Sequence, residues 1–239
     1  MTKEDYISEI RSFCKKNANP ENVKKYSHYF KTEYLAYGLT TPQMHEKAKE
    51  LVKANGLNIE IAIDSAVTLI ESKMFEETTL LLLTINGLHK QFNKKILHNI
   101  EHFYETGITN WAHADTLGMF IIPKFYKQDI IQYSELSYWL KSKYKFQRRT
   151  VPVSMIKLLK TTTDLLPLFK FIEPLILDSE REVHQGVGWF LREAWKKQRE
   201  ITEEFLLHWK DKAPRLIIQY ATEKMTSDQK LVYKRSKFV

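Results

Sequence analysis

The chain has 239 residues, 43% hydrophobic and 13% aromatic, enough for one large domain or a short repeat array with a sizeable core, which excludes disorder except at the ends. Lysines and arginines number 37 against 29 acids, a net charge of +8 that suits a polyanionic partner, and the single cysteine, Cys14, excludes an internal disulfide and reads as a packing residue. The opening Met-Thr-Lys-Glu-Asp lacks the apolar stretch of a signal peptide, and the longest apolar cluster, residues 80–85, is far too short to cross a bilayer, so a cytoplasmic protein with no membrane partner is expected.

Only 7 glycines and 7 prolines punctuate the chain, and strict apolar/polar alternation is hard to find, so the elements are helices. Thr2 with Asp5 resembles a capping pair for a helix to about residue 18, and Pro20 opens a second through Phe30. Thr41 caps and Pro42 starts a third, which Asn55-Gly56 ends. Further helices are predicted at about 58–72, 76–86, 93–105, 111–121, 127–142, 146–160, 164–171, 182–198, 203–212 and 214–223. They pair into units of roughly 35–45 residues, the size of HEAT-like repeats. The fold class is therefore all-α, a curved solenoid of HEAT-like antiparallel helix pairs, with a generic helical bundle as the alternative. One domain is expected over residues 1–239, with an ordered core at about 3–225 and a basic tail at 226–239. That tail, with Lys230, Lys234, Arg235 and Lys237, is either a mobile arm or a solvated end.

Three clusters stand out. In Asn-Trp-Ala-His-Ala-Asp, Asp115 follows Trp111 by four residues, roughly 40° round an ideal helix, while Ala114, Leu117, Phe120 and Ile121 form an apolar stripe more than about 100° away. An aromatic face beside a carboxylate, off the core stripe, suits a ligand with an apolar surface and positive charge. In the helix at 182–198, Val183, Val187, Phe190, Leu191 and Ala194 share a face and Trp189 falls nearly opposite, flanked by Arg192 and Lys196. That face either meets phosphate and sugar or is covered by a second helix layer. Gly186 and Gly188 inside this helix cost about 1 kcal/mol each relative to alanine, which points to close approach of another backbone or a ligand. Residues 141–149 hold Lys141, Lys143, Lys145, Arg148 and Arg149 and no acid, a solvated patch or a phosphate clamp. On a helix from about Phe146, Arg148 points into the stripe of Val151, Met155, Leu158 and Leu159, and Arg149 lies away from it, the better contact candidate.

With Arg-Arg-Thr opening a helix, Gly-Trp-Phe-Leu-Arg-Glu at 188–193, and Tyr29 upstream of Gly38-Leu39-Thr40-Thr41-Pro42, these clusters make the chain resemble the bacterial AlkD-type DNA alkylation repair glycosylases over about residues 5–223. The resemblance implies a HEAT-like repeat fold that excises cationic N3- and N7-alkylated purines from duplex DNA in base excision repair, as a monomer with no cofactor and no metal. It implies that Trp111, Asp115 and Trp189 line the cleft around the lesion, that Arg149 faces DNA there with Arg148 as the substitute, and that Tyr29 is an N-terminal aromatic of the same cleft. Arg192, Lys196 and Lys145 are expected to contact DNA. Base flipping, the usual strategy of glycosylases, is not expected. Asn110 stands where some members of that family have a second tryptophan, Phe146 where a tryptophan is frequent, and Met44-His45 where arginines can occur, departures that bear on lesion preference and DNA affinity.

The chemistry fits the residues. Hydrolysis of a glycosidic bond builds positive charge on the sugar, and a carboxylate about 4 Å away at an effective dielectric near 20 stabilises it by roughly 4 kcal/mol. An alkylated purine cation leaves without a general acid, so Asp115 with tryptophan faces can suffice. Two other readings exist. His98, Glu101 and His102 spell an H-x-x-E-H zinc arrangement, set against an ordinary amphipathic helix with no third ligand. A non-catalytic repeat module binding DNA or protein shares every feature except the need for Asp115 beside Trp111.

Overall fold

The computed structural model describes residues 1–31 and 33–235, and among them it is all-α, with no strand. The chain divides into two compact units, Met1–Thr116 and Leu117–Val239.

The first unit contains α1 (Lys3–Lys16), α2 (Pro20–Ser27), α3 (Thr41–Lys53), α4 (Ile59–Asp64), α5 (Ala66–Glu71), α6 (Phe75–Gly87), α7 (Lys94–Thr106) and α8 (Trp111–Thr116). Side chains that satisfy the free backbone N–H groups of a first turn set the starts. Thr2 and Asp5 form a reciprocal capping box, Asn19 caps α2 ahead of Pro20, and Asn58 and Asn93 cap α4 and α7. Thr40, one residue before the expected cap, pairs with Gln43 to start α3, which leaves Pro42 in the first turn. The expected helix over 58–72 breaks at Ser65, whose hydroxyl donates back to the Ile61 carbonyl at 2.7 Å and competes with the helical ladder. Helix α6 is the centre of the unit. It is buried from Glu76 to Ile85 on every side, and α1, α3, α4, α5 and α8 all pack against it.

The second unit contains a wide π turn (Leu117–Ile121), α9 (Ile122–Lys127), a 3-10 segment (Tyr133–Lys141), α10 (Lys145–Met155), α11 (Leu166–Ile172), α12 (Arg181–Lys197), α13 (Arg199–Trp209), α14 (Arg215–Ala221) and α15 (Ser227–Leu231). The expected α-helix over 111–121 thus widens after Thr116. Pro123 lacks an N–H, and its ring crowds the carbonyl four residues back, which favours a wider turn ahead of it. The wider turn rotates Phe120 out of the predicted stripe: Ala114, Leu117 and Ile121 are fully buried, but Phe120 is 46% exposed. The helix expected over 127–142 is instead the end of α9, a turn with Asp129 at φ 53°, and the 3-10 segment.

Helix α12 is the spine of this unit, with α10 on one side and α14 on the other. Its two glycines permit both contacts. A side chain at Gly186 would meet the Arg149 Cγ at 3.1 Å and the Arg149 carbonyl at 3.2 Å, and one at Gly188 would overlap the Tyr220 Cβ at 2.5 Å. The predicted core face of Val183, Val187, Phe190, Leu191 and Ala194 is completely buried.

The tail is tied down through residue 235. Tyr233 is 2% exposed, Arg215 donates to its carbonyl at 2.9 Å, and Arg235 donates to the Ala213 carbonyl at 3.1 Å. A mobile arm would leave those carbonyls without protein partners, so Lys230, Lys234 and Arg235 belong to the folded body; Lys237 lies outside the described residues. No helix among the described residues is long and apolar enough to cross a membrane.

Candidate nucleic-acid interface

Trp111 is the first residue of α8 and is 40% exposed. Its ring stacks on Phe30 at 5.8 Å and 16°, and its indole N–H reaches the Tyr29 carbonyl at 3.4 Å. Phe30 in turn stacks on Tyr34 at 4.5 Å and meets Phe75 edge-on at 5.5 Å, and Phe75 stacks on His113 at 4.8 Å. The tryptophan is thus the outer ring of an aromatic wall whose inner rings come from the loop after α2 and from the start of α6. Tyr29, 61% exposed, joins this wall through its backbone and through ring contact with His28 at 4.1 Å. Asp115 follows one turn after Trp111 and is half-buried.

Asn110 fixes the start of α8. Its Oδ1 accepts from the His113 N–H at 3.0 Å, so its Nδ2 is the donor that meets His113 Nδ1 at 2.8 Å. Nδ1 must then be the acceptor, which places the ring proton on Nε2, within 3.1 Å of both the Phe75 carbonyl and the Thr79 hydroxyl. Complete burial holds the imidazole neutral, its pKa pushed down to about 4 against a smaller opposing pull from the Phe75 carbonyl. Asn110 is therefore a cap and a histidine partner that sets where Trp111 points.

The loop carrying the aromatics hangs on two acids at the start of α6. The fully buried Glu76 accepts from the backbone N–H groups of Tyr37, Gly38 and Leu39 at 2.8, 2.7 and 3.0 Å. Glu77 accepts from the Tyr37 hydroxyl at 2.8 Å and from Arg11 at 3.1 Å. Gly38 sits at φ 86°, and any side chain there would overlap the Asn19 carbonyl at 2.1 Å, so the turn requires glycine.

The cations singled out in sequence lie in the second unit, on α10 and α12, and carry partners. Arg148 grips Asp178 with Nε at 2.5 Å and Nη2 at 3.0 Å and donates from Nη1 to the Ser142 carbonyl at 2.6 Å. With its side chain 13% exposed and both Asp178 carboxylate oxygens engaged, it is a structural clamp. Arg149 lies across Gly186, 6% exposed, and donates from Nη1 to the Glu182 carbonyl at 2.7 Å. Lys145 pairs with Glu180 at 3.3 Å and Glu182 at 3.2 Å, which raises its pKa against the opposing cost of burial. Arg192 binds Glu223 and Glu193, and Lys196 binds Glu193 at 2.9 Å. Within the expected acid-free phosphate clamp, Lys145 and Arg148 are therefore paired with acids from the segment at 178–182. Trp189 is half-exposed opposite the buried face of α12, between these paired cations.

Of the predicted residues, Tyr29, Trp111 and Asp115 are gathered in the first unit, and Lys145, Arg148, Arg149, Trp189, Arg192 and Lys196 belong to the second. Phe30, Tyr34, Phe75 and His113 were not singled out; the signal available was the density of aromatics at 26–37. His98 and His102 stand on the exposed face of α7, where His98 meets Glu101 at 3.1 Å. Among the described residues no group of three or more metal-ligating side chains forms.

Helices packed around the buried α6 in one unit and around α12 in the other, with an exposed tryptophan one turn from a carboxylate, define an all-helical protein that offers aromatic and charged side chains on its surface. The family model described as DNA alkylation repair enzyme matches residues 10–225, and the chain belongs to that family. Its fold is similar to that of a predicted DNA alkylation repair enzyme from Enterococcus faecalis, at 16% identity over 88% of this chain and 97% of that one, with a TM-score of 0.75. It is also similar to AlkD2 from Streptococcus mutans, at 18% identity over 85% and 97%, with a TM-score of 0.57. Comparison with curated proteins finds no match.

Proposed function

We propose that this member of a DNA alkylation repair family is a glycosylase that hydrolyses the N-glycosidic bond of cationic N3- or N7-alkylated purines in duplex DNA, as a monomer without metal or cofactor. The observation that carries the reading is the Trp111–Asp115 pair: an exposed indole, held in place by Phe30 and the Tyr29 carbonyl, one helical turn from a half-buried carboxylate. The indole face receives the damaged nucleotide at the surface, which suits attack without extrusion of the base into a pocket. As the bond to the purine lengthens, positive charge grows on the sugar. A carboxylate about 4 Å away stabilises that charge by roughly 4 kcal/mol at an effective dielectric near 20, close to a thousandfold in rate. The leaving purine is already cationic and departs neutral, so no acid is needed on the base. Asp115 also accepts a hydrogen bond from the attacking water.

The test is release of 7-methylguanine or 3-methyladenine from methylated duplex DNA. The wild-type protein releases one of them, and Asp115→Asn lowers the rate about 100- to 1,000-fold while duplex affinity changes less than about threefold. Duplex binding without base release identifies a binding module and overturns the glycosylase reading.

A further inference from the structure

The described cations of α10 and α12 that sequence singled out are occupied, but two lysines on α3 are not. On α3, His45, Lys49 and Lys53 recur at four-residue intervals, all exposed, and none forms an ion pair with a described residue. They rim a groove of about 220 Å³ lined below by Ala48, Val52, Leu83 and Gly87, with the Asn86 amide beside them. The groove exists because Gly87 has no side chain: a Cβ there would overlap the Val52 Cγ2 at 2.4 Å, so only glycine lets the end of α6 lie this close to α3. The acids of α3, Glu46 and Glu50, do not line it, and Glu50 is drawn to Lys47 on another side of the helix.

An apolar floor with a cationic rim matches the deoxyribose and phosphate of a nucleic-acid strand. From His45 to Lys53 the rim runs roughly 12 Å, the rise of three to four nucleotides at about 3.4 Å each. The groove and Trp111 also share one layer of helices, since α6 packs between α3 and α8. Phe75, in the aromatic wall behind Trp111, begins α6, while Leu83 and Gly87 of the groove end it, roughly 12–18 Å further along the helix. A strand seated against Trp111 and tracking this layer reaches the groove some four or five nucleotides from the lesion.

We infer that the groove between α3 and the end of α6 is a sugar-phosphate subsite, with Lys49 and Lys53 as its phosphate contacts, that anchors the duplex at a distance from the damaged nucleotide. The inference rests on DNA being the partner, and not on base excision.

The experiment measures the affinity of the full chain for an unmodified duplex as a function of salt, for wild type, Lys49→Gln/Lys53→Gln, and the charge-matched control Lys15→Gln/Lys16→Gln at the end of α1. Loss of two phosphate contacts flattens the slope of log K against log salt by about 2 and weakens binding about tenfold near 0.1 M salt. The control pair leaves both unchanged, and the thermal unfolding midpoint of the Lys49/Lys53 variant stays at the wild-type value, because both side chains are exposed. An unchanged slope in that variant, an equal change in the control, or a wild type that binds no duplex overturns the inference. A wild type that binds with the expected slopes but releases no base leaves the subsite standing and defeats only the glycosylase reading.

Discussion

The two tryptophans occupy similar places in sequence pattern but different physical settings. Trp111 is fixed by neutral contacts, with Phe30 stacked on its face, a backbone carbonyl on its N–H, and an asparagine cap under its helix. Beside Trp189 on α12 the charge is already spent, because Arg192 and Lys196 each hold a carboxylate. Counting lysines and arginines locates where positive residues are, and the pairing decides where a positive field is felt. A phosphate arriving at a paired cation must displace a carboxylate, whereas one arriving at Lys49 or Lys53 displaces only water and counterions. In this chain, then, Lys145, Arg148, Arg192 and Lys196 serve the scaffold, while Lys49 and Lys53 on α3 stand exposed.

This contrast can be broken first at Asp178. Asp178→Asn leaves the largely buried Arg148 without its carboxylate, and the expected loss of stability is about 3–5 kcal/mol in denaturant unfolding. A loss below about 1 kcal/mol would make Arg148 available to a ligand after all. Next in size is the acid response of the first unit. His113 is neutral when folded, with a pKa of about 4, and titrates near 6.5 when unfolded, so between those values the unfolded chain binds the extra proton. Stability from this group is complete above about pH 6.5 and falls as pH drops toward 4, by roughly 3 kcal/mol in all. The ring resonances of His113, followed by NMR, should show no titration above about pH 5; a midpoint near 6.5 would remove the buried neutral tautomer from the account of how Trp111 is held. The smallest effect is expected at Glu193. Replacement by Gln releases Lys196 and loosens Arg192, and duplex affinity rises about threefold. If affinity is unchanged, neither cation lies near the DNA.

Much of the scaffold was legible in the chain because its signals are local. Thr2 with Asp5, Pro20 and the buried stripe of α12 act within one or two turns, and each shows in the expected segment. Where the reading failed, a local rule met a steric or competing one: Pro123 widened the helix beyond Thr116, and Ser65 split another. For the candidate site, the Trp111–Asp115 pair and the exposed face of α12 could be seen from four-residue spacing alone. The residues behind them could not. Tyr29 lies 82 positions from Trp111, Asp178 30 from Arg148, and Glu223 31 from Arg192.

From its sequence alone this chain was settled as all-helical and basic, with an aromatic-carboxylate pair off a core stripe, since helical periodicity and capping depend on neighbours within one turn. Only the tertiary structure decided which charges are neutralised, which ring supports Trp111, and which glycine opens a groove on α3. Those outcomes depend on groups far apart in the chain, whose meeting no local spacing encodes.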